Sequence, residues 1–128
     1  MADTPAAPLL LAHGSRSEGW AEPFYRLRTL LQERRGLAEL PLAFMEFAEP
    51  TLEQGLDRLR EAGRTDVRII PLFLAAGIHL RRDIPRRIEE YCSQHSGMRI
   101  ELEQVLGEDE AFLQLLADYI DGSIDREG

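Results

Sequence analysis

A chain of 128 residues with 44% hydrophobic and 30% charged side chains has the length of one domain and the composition of a soluble globular protein. All 15 basic residues are arginine, which excludes Schiff-base chemistry on a lysine and a phosphate-loop lysine. The net charge of −8 sits in residues 101–128, where nine acids face one arginine; residues 1–100 balance at fourteen of each sign, which argues against a nucleic-acid binder.

The lone cysteine, Cys92, has no partner for an internal disulfide. The opening MADTPAAPLLLAH has no basic residue, and its apolar run is too short for a signal peptide or a membrane span. A cytoplasmic protein without membrane contact is expected, as one domain over 1–128 with residues 1–7 frayed.

Pro8–Ala12 is a short apolar run that stops at His13-Gly14-Ser15 and predicts a buried strand. Trp20, Phe24, Leu27 and Leu31 recur at helical spacing to about Arg35, with Pro23 acceptable only in the first turn and Gly36 ending the helix. Leu42–Phe47 predicts a second strand, with Glu46 as its one charge near the carboxyl end. Thr51 and Gln54 form a capping box, and Leu52, Leu56 and Leu59 supply the buried face of the helix that follows.

Val67–Leu74 predicts the third strand. Asp83 and Pro85 predict the start of the next helix, with Ile84, Ile88 and Tyr91 as its buried stripe. Met98–Val105 alternates around Ile100, Leu102 and Val105, which suits an edge strand. Glu108 to about Asp121 predicts a final helix, its stripe formed by Phe112, Leu115, Leu116 and Tyr119. The pattern is α/β: (βα) repeated four times, a single-domain, four-stranded parallel sheet with helices on both faces.

Three polar residues punctuate the strand ends. His13 follows strand one, Glu46 lies near the end of strand two, and His79 comes just after strand three. In a parallel sheet those ends share one edge, where ligands bind. Two imidazoles and a carboxylate are a first shell for a divalent transition metal, with coordination positions left open. Each has a plainer reading too, as a turn histidine or as a carboxylate answering an arginine. His95, in a polar stretch, reads as a solvated surface residue. Arg16, Arg81 and Arg82 flank the two histidines, and guanidinium forks suit carboxylates. Arg86 and Arg87 read as decoration of the helix surface.

LLLAHGSR at 9–16, FMEFAEPTL at 44–52 and PLFLAAGIHLRRDIP at 71–85 resemble the small, short-form CbiX-type sirohydrochlorin chelatases, a class II chelatase family. The resemblance implies a chelatase-like fold and insertion of a divalent metal into sirohydrochlorin without a nucleotide. Cobalt is expected ahead of iron, and nickel last. It implies His13 and His79 as metal-binding residues and Glu46 as the acidic site residue, either ligand or general base. A carboxylate-rich macrocycle accounts for arginines beside the histidines. Larger members of the class pair two such domains in one chain, so a homodimer with facing strand-end edges is expected.

Two other readings stay open at this stage. One is a metal or tetrapyrrole carrier on the same fold without turnover. The other is a flavodoxin-type nucleotide or flavin binder, for which HGSRSEGW is a poor phosphate loop.

Overall fold

β1 (Ala7–Ala12) runs through the middle of the protein because its apolar residues face both ways, as a strand covered on two sides requires. The computed structural model describes residues 5–126. Its sheet is parallel throughout, in the order β2-β1-β3-β4, with β2 at Leu42–Phe44, β3 at Asp66–Pro71 and β4 at Arg99–Leu102. Leu10 is opposite both Leu42 and Ile70, so β1 is hydrogen-bonded along both sides.

Leu9, Leu11, Val67 and Ile69 point to one face and pack under α2 (Leu52–Glu61) and α3 (Ile78–Gln94). Leu10, Leu42 and Phe44 point to the other and pack under α1 (Glu22–Arg35). Leu9, Leu11, Leu52, Leu56 and Leu59 have no exposed surface, and each such leucine contributes about 2 kcal/mol relative to leaving it in water. Across the α2–α3 seam, the Tyr91 hydroxyl donates to Asp57 Oδ1 at 2.7 Å and accepts from Arg60 Nε at 3.1 Å.

Several local signals are used as read. Thr51 Oγ1 accepts from the Gln54 amide at 3.2 Å while Gln54 Oε1 accepts from the Thr51 amide at 2.8 Å. Pro23 sits in the first turn of α1, and Gly36 closes that helix in the left-handed region at φ 61°. Trp20 lies just ahead of α1 rather than in it, packed 4.8 Å from the Phe24 ring.

Other boundaries differ. Residues 1–4 of the expected frayed start lie outside the described residues, and Ala7 is already buried in β1 opposite Val67. β2 ends at Phe44, and Glu46 lies in the loop that follows rather than in the strand. α3 begins after Gly77, not at Asp83, and runs through Pro85. Leu80, Ile84 and Ile88 continue one apolar stripe against the core, and this packing holds the helix together where proline removes a backbone bond.

The final helix, α4 (Glu110–Ile124), departs most from expectation. Asp109 caps it, accepting from the Ala111 amide at 2.9 Å, yet none of its residues is buried. Leu115 and Tyr119, expected in the core, are 69% and 71% exposed. Its packing within the chain is chiefly against the 3-10 turn Leu106–Glu108 that precedes it.

Candidate functional site

The carboxyl ends of β1 and β2 continue as a short extra ladder. The Met45 amide donates to the Ala12 carbonyl at 2.9 Å and the Glu46 amide to the His13 carbonyl at 3.1 Å, which sets Glu46 beside His13. The ladder requires glycine next to the histidine. Gly14 has φ +97°, and a Cβ there would stand 1.8 Å from the Glu46 carbonyl oxygen. Phe47, the residue after Glu46, adopts φ 65°, a left-handed conformation uncommon for an aromatic residue. It is half exposed, and the Arg16 guanidinium lies 4.4 Å from its ring centroid, a cation–π contact.

His79 arrives from the other side, in the first turn of α3. The segment before it is fixed from two directions. Phe73 is buried, with its ring 4.1 Å from the His13 imidazole. The Leu106 and Gly107 amides donate to the Phe73 and Leu74 carbonyls at 2.9 and 2.8 Å.

His13, Glu46 and His79 are themselves exposed, and all three line one cavity of about 720 Å³ at the carboxyl edge of the sheet. That volume suits a sizeable organic ligand. Among the described residues, however, no three His, Cys, Asp or Glu side chains come close enough to enclose an ion, so the expected three-ligand shell is not closed. An ion held here would keep open positions, as a metal awaiting transfer needs.

The arginines divide differently from the sequence reading. Arg82 lines the cavity, and so does Arg86, which is tied to Asp83 and to Glu90. Arg81 does not line it. Its Nε donates to the Ala76 carbonyl at 3.1 Å and its Nη2 pairs with Glu108, so it braces the loop before α3 instead of facing the cavity. Arg16 does not line it either; its guanidinium lies on the Phe47 ring.

Arg87 was expected at the surface but is the least exposed of these arginines, its side chain only 15% exposed. Its fork grips the Glu53 carboxylate at 2.8 and 2.6 Å, and its Nη1 donates to the Met45 carbonyl at 3.2 Å. The Arg87 guanidinium holds the Glu53 carboxyl below its ordinary range, and Glu53 in turn raises Arg87. One side chain on the His79 helix thus fixes the backbone beside Glu46. Once α3 is extended to Ile78, Asp83 and Arg87 follow His79 at helical spacing, the signal that the later helix start concealed.

Known proteins share this fold. The family model described as CbiX matches residues 7–123. A sirohydrochlorin cobaltochelatase from Sulfurisphaera tokodaii is 30% identical over 113 residues, covering 88% of this chain and 89% of that protein. A sirohydrochlorin ferrochelatase from Priestia megaterium is 28% identical, over 89% of this chain but only 43% of its own length. Among solved structures, a putative cobalamin-biosynthesis CbiX protein from Marinobacter aquaeolei superposes with a TM-score of 0.83 at 34% identity, over 96% of this chain and all of that one. Bacillus subtilis SirB, at 24% identity and a TM-score of 0.78, shares the fold across 49% of its chain. With its strand order, its carboxyl-edge cavity and a family match from β1 into α4, this chain belongs to the CbiX family.

Proposed function

We propose that this protein is a sirohydrochlorin chelatase, a lyase that inserts a divalent metal ion into the tetrapyrrole without a nucleotide. The observation that carries the reading is the convergence of His13, Glu46 and His79 on one open cavity, in a chain similar along most of its length to cobaltochelatases. Metal and macrocycle are both substrates. A divalent ion enters, two pyrrole N–H protons leave, and the charge of the ring core is balanced.

Each residue has a task in that exchange. Neutral imidazoles at His13 and His79 hold the ion weakly enough to give it up. Glu46, next to His13 and open to solvent, accepts protons as general base and passes them to water. Arg82 and Arg86 meet the macrocycle carboxylates from α3, and Arg16, now on Phe47, joins them only by reaching past that ring. Arg81 joins them only by leaving Glu108. Cobalt is the leading metal and iron the next, with nickel last, since histidine and carboxylate donors accept all three.

One domain supplies one wall of the cleft, so the working form is a homodimer with carboxyl edges face to face. This chain covers 49% of the SirB chain, whose fold it shares. Among the described residues no helix is long and apolar enough to cross a membrane, in keeping with a cytoplasmic enzyme.

An anaerobic absorbance assay of sirohydrochlorin with Co²⁺, Fe²⁺ or Ni²⁺ tests the reading. Acceleration over the spontaneous rate is expected, most with cobalt. A shifted macrocycle spectrum without acceleration would instead make the protein a carrier.

A further inference from the structure

Asp83 is a second carboxylate of the cavity, and nothing in the metal exchange described above employs it. Among the described residues lining that space, Glu46 and Asp83 are the two acids. They stand on different walls. Glu46 comes from the loop after β2, beside His13, whereas Asp83 belongs to α3, one turn beyond His79. His79, Arg82, Asp83 and Arg86 recur at three- and four-residue spacing, so one face of α3 brings all four to the cavity.

Packing gives Asp83 little reason to be there. Its sequence context suits a helix cap, but α3 has already run for a full turn before it. Inside a helix aspartate is a poor former, because its side chain competes for backbone hydrogen bonds. Here that side chain, 35% exposed, meets Arg86 Nη2 through Oδ1 and Arg87 Nη1 through Oδ2, the latter at 3.8 Å. Neither arginine depends on it. Arg86 also holds Glu90 at 3.0 Å, and Arg87 grips Glu53 with two hydrogen bonds. Ion pairs on a solvated helix face stabilise little.

The reaction supplies a reason. Insertion of a divalent ion removes two protons from the ring nitrogens, and one carboxylate accepts one proton at a time. Glu46 acting alone must unload to water before it takes the second. We infer that Asp83 is the second proton acceptor. One ring N–H bond breaks as Glu46 takes its proton and the other as Asp83 takes its own, and both electron pairs stay on nitrogen to bind the metal. Two protons leave for one divalent ion, so the charges balance. Arg86 sets the timing. Paired with Asp83 it occupies Oδ1; when it turns to a macrocycle carboxylate, that oxygen is released as the ring is seated. The inference rests on the chelatase reading and extends it to the α3 wall.

Asp83→Asn keeps the shape and removes the proton acceptor. In anaerobic insertion of Co²⁺ into sirohydrochlorin it should lower kcat about 100-fold, with Co²⁺ affinity and the macrocycle KM changed less than about threefold. Circular dichroism should match wild type. Asp83→Ala vacates room for a small carboxylate, and added formate or acetate should restore its kcat about tenfold. This rescue decides the question alone if the Asn variant does not fold. A role confined to holding Arg86 gives the opposite split: a raised KM, kcat intact, and no rescue. That pattern overturns the inference. So does a folded Asp83→Asn variant with wild-type kcat, which leaves the chelatase reading standing. A wild type that does not accelerate insertion overturns both.

Discussion

Arg87 and Glu53 join α3 to α2 through two side-by-side hydrogen bonds, Nε to Oε2 at 2.8 Å and Nη2 to Oε1 at 2.6 Å. The third contact of the same guanidinium, to the Met45 carbonyl at 3.2 Å, is the one that reaches the site. Arg87→Ala leaves Glu53 half-buried without its partner and frees the loop that bears Glu46. It should cost about 2 kcal/mol in urea unfolding and about tenfold in turnover. Arg87→Lys keeps the charge and loses the fork, so it should recover stability better than turnover. Equal recovery of both would make Arg87 a purely structural residue.

The same pair gives the fold a dependence on acid. Glu53 has its carboxyl lowered from an ordinary 4.5, chiefly by its hydrogen bonds to Arg87. The folded state therefore binds the proton less readily than the unfolded chain. The contribution is fully present above the ordinary value and fades as pH falls below it, through the lowered folded value. Glu53→Gln should be less stable than wild type at pH 7, with the gap narrowing as pH falls below about 4.5. A gap independent of pH in unfolding experiments would remove Glu53 as its source.

Gly14 tolerates no side chain. A Cβ at that residue would overlap the Glu46 carbonyl, and its φ of +97° is strained for any L-residue. Gly14→Ala should cost about 2–4 kcal/mol and displace Glu46 from His13. Thermal unfolding and the chelatase assay should fall together. Wild-type stability would show that the ladder can spread at little cost.

His13, Glu46 and His79 are exposed, so their removal should touch chemistry more than fold. His13→Ala and His79→Ala should each weaken Co²⁺ binding and abolish acceleration, with melting shifted by about 1 kcal/mol or less. Glu46→Gln should lower turnover at saturating metal more than it lowers metal affinity if Glu46 moves protons. Equal losses would mark it as a ligand.

The arginines can be separated by one comparison. Arg82 lines the cavity, whereas Arg81 is bound to Glu108. Arg82→Ala should raise KM for sirohydrochlorin several-fold, and Arg81→Ala should leave KM unchanged while lowering stability by about 0.5 kcal/mol. The reverse pattern would mean that Arg81 leaves Glu108 when substrate arrives.

What the sequence made legible was local or strongly apolar. The Thr51–Gln54 capping box, the Gly36 helix end and the continuous apolar run of β1 depend on neighbours in the chain, and each appears as read. The start of α3 was hidden because Asp83 and Pro85 imitate a helix start, while the packing of Leu80 and Ile84 that overrides them is tertiary. Arg87 was illegible for the same reason: nothing local tells an arginine that points inward from one that points to water. The exposed side of α4 was read as core because periodicity shows that a helix has an apolar side, not what covers it.

That uncovered side bears on why relatives of twofold length exist. The Priestia megaterium ferrochelatase is matched over only 43% of its length, leaving room for a second unit of this kind. In the proposed homodimer two separate copies must find each other, so their assembly would fall away on dilution. Tethered in one polypeptide, two such units would meet at an effective concentration of roughly millimolar order, whatever the abundance of the protein. Fusion would then free each half to diverge, one retaining the donor side chains and the other shaping the opposite wall for a single metal or macrocycle.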